Sequence, residues 1–129
     1  MDFRPGFRVS EVDIAVLIAG VLGSALLVRV DESLAVVVLF TLGHFFLFCN
    51  VLRMSRPLEL AWAVTFVFLA GSTFRFGFPP FIYTLLTMLA VTTILAAIQI
   101  LRPSYHGAFW QRLNPSLPQW WAEHRKNEA

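Results

Sequence analysis

Four long apolar runs dominate the chain and limit what it can fold into. They cover residues 14–28, 34–52, 60–74 and 81–101. A helix needs roughly 20 residues to cross the ~30 Å hydrocarbon core of a bilayer, and the second and fourth runs reach that length directly. The other two reach it if the charged residues at their ends lie at the interface, with arginine side chains extending outward. The pattern therefore predicts four membrane-crossing segments.

These segments are expected to be helices, because backbone amides in lipid must find partners within their own segment and the runs lack the alternation of barrel strands. The composition agrees, with 57% hydrophobic and 14% charged residues against about 25% charged in average soluble domains. We predict an all-α, polytopic membrane protein: a four-transmembrane-helix, up-down bundle with an interfacial, aromatic C-terminal tail. The expected parts are an arm at 1–9, a bundle at 10–102 with helices at about 11–30, 33–53, 57–76 and 80–102, and a tail at 103–129.

Local signals mark the expected helix starts. Ser10 and Asp13 have the spacing of a capping box that opens the first helix. Ser33 is expected to cap the second helix after a tight turn at Asp31. Pro57 suits the first turn of the third helix, where its missing N–H leaves no bond unmade.

Basic residues predict the orientation of the bundle. Eight of the ten fall in the arm, in the connection between the second and third helices, and in the tail, whereas Arg29 and Arg75 fall at the opposite end. Segments rich in Lys and Arg stay in the cytoplasm. We therefore expect a multi-pass protein of the plasma (inner) membrane with both termini cytoplasmic. The basic residues are scattered between apolar runs, so we expect no nucleic-acid partner.

The tail combines aromatic and basic residues. Trp110, Arg112, Trp120 and Trp121 are of the types that anchor protein interfaces, and they also suit the headgroup level of a bilayer. We predict that they bind a partner subunit, and that the stretch 108–113 lies in the interface as a short amphipathic element. A loosely ordered tail is the alternative.

His44 is the ionisable residue expected deepest in the membrane, in the middle of the second run. Such residues are functional candidates, and a neutral imidazole can ligate a haem iron or a chlorophyll-type pigment. The alternative is a structural histidine bonded to a neighbouring helix. Two-histidine haem ligation within the chain is not expected, because His106 and His124 both lie in the tail.

A polar cluster is expected at the cytoplasmic end of the hairpin formed by the second and third helices. It contains Asn50, Arg53, Arg56 and Glu59. Glu59 is expected to return beside Arg53, and Gln99 could meet Asn50. The cluster is read either as a structural ion pair that clamps the hairpin or as a site for a lipid headgroup or ligand.

No catalytic motif is present. The sequence has no glycine-rich phosphate loop, no HExxH and no nucleophile elbow, and a single cysteine offers neither a disulfide nor a thiol pair for metal. We therefore predict no enzyme activity, no catalytic residue and no metal site.

Small residues recur along the first helix at Ala15, Ala19 and Gly23, a spacing that lets helices approach closely. These observations favour a non-catalytic accessory subunit packed against other membrane subunits in a larger complex, such as an energy-transducing respiratory or photosynthetic one. The alternatives are a haem- or pigment-binding protein that uses His44, and a small homo-oligomeric transporter or channel.

Overall fold

A computed structural model describes residues 3–127, and within them the chain is helical and contains no strand. Residues 1–2 of the predicted arm, residues 128–129 of the predicted tail and the side chains of Lys126 and Asn127 lie outside this description. The helices are α1 (Glu11–Leu27), α2 (Glu32–Phe46, continued by a π-helical turn at Leu47–Val51), α3 (Arg56–Phe76), α4 (Phe81–Ile100), α5 (Trp110–Leu113) and α6 (Leu117–Asn127).

Three of these helices are long and apolar enough to cross a membrane. They are α2 with its π-helical turn, α3 and α4, which span 20, 21 and 20 residues. The first helix has 17 residues and is about 26 Å long at 1.5 Å per residue, which is less than the ~30 Å hydrocarbon core. The all-helical prediction is confirmed, and the structure identifies three candidate spanning helices where the sequence predicted four.

The helix starts follow side-chain chemistry. Ser10 and Asp13 form the predicted capping box: the Ser10 backbone N–H donates to the Asp13 carboxylate at 2.7 Å, and the Asp13 N–H donates to Ser10 Oγ at 3.2 Å. The predicted cap of α2 was wrong. Asp31 is the capping residue, because its carboxylate accepts from the backbone N–H groups of Ser33 and Leu34 at 2.8 and 3.2 Å and thereby satisfies two otherwise free donors.

The helices pack mainly as two hairpins joined by an aromatic stack. In the first hairpin, α1 lies close to α2 at Gly20, and Ser24 Oγ donates to the Ala35 carbonyl at 2.8 Å. In the second, α3 and α4 are linked by a 2.7 Å hydrogen bond between the Thr73 and Thr84 hydroxyls. The stack between α2 and α3 consists of His44, Phe40, Phe48, Trp62 and Phe66.

Gly20 and Gly23 offer a matched test of the packing between α1 and α2. A Cβ on Gly20 would lie 2.0 Å from Leu42 Cδ1, whereas a Cβ on Gly23 meets nothing within 4 Å. Alanine favours the helix over glycine at both positions, but Gly20→Ala also forces the Leu42 side chain to move. Gly20→Ala should therefore be less stable than Gly23→Ala by roughly 1 kcal/mol. Unfolding in a mixed-detergent titration followed by tryptophan fluorescence measures both. Equal midpoints for the two variants would contradict this packing.

Candidate functional site

The C-terminal end of α2 is the point where the two terminal segments meet. A helix end leaves backbone carbonyls without partners, and here other segments supply the donors. The Arg8 N–H donates to the Asn50 carbonyl at 3.3 Å, and the Ala108 N–H donates to the Val51 carbonyl at 2.7 Å. The Gly6 N–H also donates to the His106 carbonyl at 2.8 Å. The arm, the end of α2 and the tail therefore form one hydrogen-bonded unit.

Asn50 fixes the arm from inside this unit. It is buried. In the amide orientation that matches its neighbours, its side-chain nitrogen donates to the Arg8 carbonyl at 2.9 Å and to the Asp13 carboxylate at 3.3 Å. The arm therefore bonds to both the backbone and the side chain of Asn50, and α1 bonds to its side chain. The predicted contact with Gln99 is replaced, because Gln99 bonds to Arg53 and Ser55.

The connection between α2 and α3 is held by α4. Gln99 Nε2 donates to the Arg53 carbonyl at 3.2 Å, and the Ser55 N–H donates to Gln99 Oε1 at 3.4 Å. Arg102 Nη1 donates to Ser55 Oγ at 2.7 Å. These bonds hold Arg53 at a φ of +47°, a left-handed conformation that is uncommon for residues other than glycine and is tolerated where the surroundings impose it.

The tail folds tightly against the same connection. A Cβ on Gly107 would lie 2.6 Å from the Val51 carbonyl oxygen and 2.7 Å from that of Leu52. Tyr105 is buried, and its hydroxyl donates to the Ala108 carbonyl at 2.8 Å. Burial raises the pKa of Tyr105, so the phenol stays a donor. The predicted short element appears as α5, whereas the sequence did not predict α6.

A cavity of about 610 Å³ opens where the arm, the α2–α3 connection and α6 face one another. Its walls come from three segments of the chain: the arm, the α2–α3 connection and the tail. The lining residues are Phe3, Arg4, Pro5, Arg8, Arg53, Ser104, His106, Trp120 and Trp121. We call it the basic cavity.

The electrostatics of the basic cavity are set by its arginines. Arg53 Nη1 donates to the Arg4 carbonyl, which directs the guanidinium of Arg53 toward the arm. Burial and the positive charge of Arg8 lower the pKa of Arg53. The lining contains no carboxylate among the residues the structure describes. Like charges therefore converge at this site, an arrangement that favours binding of an anion.

The predicted cluster of Asn50, Arg53, Arg56 and Glu59 is divided in the structure. Arg53 lines the basic cavity, and Asn50 binds the arm. Arg56 is exposed in the first turn of α3. Glu59 is approached by the Cys49 thiol, with 3.7 Å between Sγ and Oε1, and it lines a smaller cavity of about 190 Å³. The expected pairing of Glu59 with Arg53 is thus replaced by other bonds in the described part of the chain.

The tail residues proposed for partner binding also separate. Trp120 and Trp121 line the basic cavity, whereas Arg112 is exposed. Trp110 makes an edge contact with the Phe3 ring at 6.1 Å between centroids, and Trp121 contacts the same ring at 5.5 Å. Sequence reasoning missed Phe3, Arg4, Arg8 and His106 as site residues. In the sequence, the two arginines indicate only the membrane orientation.

His44 lies in the aromatic stack between α2 and α3. Its Nδ1 donates to the Phe40 carbonyl at 2.7 Å, and its ring stacks on Trp62 at 4.8 Å between centroids. Trp62 Nε1 in turn donates to Thr92 Oγ1 at 2.9 Å, which links α3 to α4. This is the arrangement expected of a structural histidine. Ligation of a cofactor by Nε2 stays a prediction, and no group of three His, Cys, Asp or Glu residues in positions 3–127 could hold a metal.

Comparison of the chain with family models, with curated proteins and with solved structures finds no match. The interpretation of function therefore depends on the geometry of the chain alone.

Gly107 offers a test of tail docking. Gly107→Ala places a methyl group against two backbone carbonyls, so we expect the tail to detach from the end of α2 and stability to fall by about 1–3 kcal/mol. The control is Gly71→Ala, because a Cβ at Gly71 meets nothing within 4 Å. Hydrogen exchange of the Ala108 amide measures the docking. Equal protection of that amide in both variants would count against the docked tail.

Proposed function

We propose that this chain is an integral membrane protein of four crossing helices that acts as a non-catalytic accessory subunit within a larger membrane protein complex. The length and composition of α2, α3 and α4 support insertion. The shorter α1 reaches crossing length if the turn at 28–30 is included and if Asp13 and Arg29 lie at the two interfaces.

The proposed orientation places both termini in the cytoplasm, at the plasma (inner) membrane. The arm, the α2–α3 connection and the tail carry most of the basic residues, and their hydrogen bonds gather them at one end of the bundle. Arg29 and Arg75 belong to the opposite end. Basic segments stay in the cytoplasm during insertion, which favours this orientation.

The observation that supports a subunit role is the outward face of α1. Ala15 and Ala19 are exposed, and Gly23 has open space around the position of a Cβ. The inward packing of α1 on α2 uses other residues, Gly20 and Ser24. An outward stripe of small residues is typical of membrane helices that approach a neighbouring helix closely, whereas contact with lipid alone does not require it.

A second apolar surface on α3 is compatible with the same role. Ala63, Val64, Val67 and Phe68 surround a shallow depression of about 400 Å³, and all four side chains are exposed. Lipid chains or helices of another subunit would fill it equally well, so it adds a candidate contact without identifying the partner.

Substitution on the outward face of α1 tests the subunit role. Ala19→Leu should prevent the chain from associating with its complex, because the larger side chain blocks close approach of a partner helix. Ala25→Leu is the control, since Ala25 is also exposed but lies about 120° away around the helix. Cross-linking in the membrane followed by purification in mild detergent gives the readout. A wild-type chain that runs as a monodisperse monomer or homodimer without other subunits would contradict the proposal.

A second candidate function is binding of a haem or chlorophyll-type pigment by His44. The bond from Nδ1 to the Phe40 carbonyl favours it, because histidines that ligate metals commonly donate their other ring N–H to a carbonyl. If this function holds, the purified protein absorbs visible light and His44→Phe removes the absorption. A colourless protein, or an unchanged spectrum in His44→Phe, would eliminate it.

A further inference from the structure

The basic cavity has the size of a small-molecule site. Its volume of about 610 Å³ lies within the range of about 300–1,000 Å³ that is usual for ligand pockets. It is built by three segments that are distant in sequence: the arm, the α2–α3 connection and the tail with α6. A site assembled in this way exists only when the terminal segments are docked.

Among the described residues, every charged side chain that lines the cavity is an arginine. Arg4, Arg8 and Arg53 all line it. Among the described residues, Asp13 is a carboxylate that interacts with Arg8. It lies outside the lining and accepts hydrogen bonds from the Ser10 backbone and hydroxyl. One carboxylate engaged in a helix cap does not neutralise both Arg8 and Arg53. An anion that contacts Arg8 and Arg53 together would relieve their repulsion.

The arginines are also held in place before any ligand binds. The Arg53 backbone is fixed by Gln99, and its guanidinium donates to the Arg4 carbonyl. The arm that carries Arg4 and Arg8 is fixed by the bonds of Gly6 to His106 and of Arg8 to Asn50. Such preorganisation lowers the entropic cost of binding, and guanidinium groups match the oxygens of phosphate in pairs.

The remaining walls fit an amphiphilic ligand. Phe3, Trp120 and Trp121 provide an aromatic surface beside the arginines. The indole N–H of Trp121 is buried and has no acceptor in the part of the chain that the structure describes. Tryptophan and arginine together are typical of the headgroup level of a bilayer.

We propose that the basic cavity binds the phosphate group of a small organic phosphate, with Arg8 and Arg53 contacting the phosphate oxygens and Trp120 and Trp121 covering its organic part. This chemistry has two sources: the headgroup of an anionic phospholipid and a soluble phosphomonoester. The lipid source rests on the proposed membrane insertion, whereas the soluble source does not. The site itself is independent of the proposed accessory-subunit role.

Binding is tested on the full chain in two parallel arms. In one, the chain is placed in nanodiscs of phosphatidylcholine with increasing phosphatidylglycerol; in the other, glycerol 3-phosphate is titrated into the chain in uncharged detergent. Tryptophan fluorescence gives one readout, because Trp120 and Trp121 line the cavity and are two of the four tryptophans in the chain. Native mass spectrometry reports retained lipid. Saturable binding in the first arm alone identifies a lipid headgroup, and binding in the second identifies a soluble phosphate. Either result supports the site.

Charge-matched variants separate the cavity from the general positive charge of this end. Arg8→Gln and Arg53→Gln should each weaken binding about tenfold or more, as expected for the loss of a charge-assisted hydrogen bond. Arg56→Gln removes the same charge from an exposed residue outside the lining and should change binding less than about twofold. Equal losses in all three variants, or no saturable binding in either arm, would overturn the proposal.

A folding control accompanies the variants. Arg53→Gln also removes the hydrogen bond to the Arg4 carbonyl, so its unfolding midpoint is compared with that of the wild type. Arg8→Gln retains the backbone bond of Arg8 to Asn50 and keeps the proposal falsifiable if Arg53→Gln is unstable. A stably folded Arg8→Gln variant that binds both probes like the wild type would refute the site.

Discussion

The free carbonyls at the C-terminal end of α2 are the constraint on which the arrangement of the chain depends. Backbone polar groups that are buried without partners are costly, and α2 ends in a π-helical turn among apolar side chains. The Arg8 and Ala108 N–H groups satisfy the carbonyls of Asn50 and Val51. Because the donors belong to opposite ends of the sequence, satisfying one helix end brings the two terminal segments together.

The interior of the bundle depends on a different interaction, the hydrogen bond that the aromatic stack makes through Trp62. Trp62 packs against His44 on α2 and donates to Thr92 on α4, so one side chain connects three helices. The Thr92 hydroxyl in turn donates to the Met88 carbonyl of the same helix. The outer surface of the bundle is apolar, and apolar contacts alone do not specify which helix faces meet. Buried hydrogen bonds of this kind do specify it, because they form only in one arrangement of the helices.

The concentration of positive charge in the basic cavity is a consequence of the first constraint. The arm and the α2–α3 connection each carry arginines from which the sequence predicts the membrane orientation. Burial lowers the pKa of Arg53, and docking the arm on α2 brings the positive charge of Arg8 close enough to lower it further. The repulsion is tolerated because backbone hydrogen bonds fix the arm and Gln99 fixes the connection. The same bonds that complete the fold therefore build the site for which we propose anion binding.

The sequence by itself determined the four long helices and much of their boundaries. Apolar runs and the Ser10–Asp13 cap depend on neighbours within a few residues, so the pattern carries them directly. The cap of α2 was missed by two residues because Asp31 and Ser33 are both competent, and α6 was missed because its residues are largely polar.

Tertiary structure alone decided which polar residues meet. The sequence singled out Arg53, Trp120 and Trp121, but it paired Arg53 with Glu59 and left Arg8 and His106 out of the site. Those pairings depend on contacts between residues about forty or more positions apart, such as that of Gly6 with His106. No local pattern encodes such contacts, because they arise only when the ends of the chain supply the donors that the end of α2 lacks.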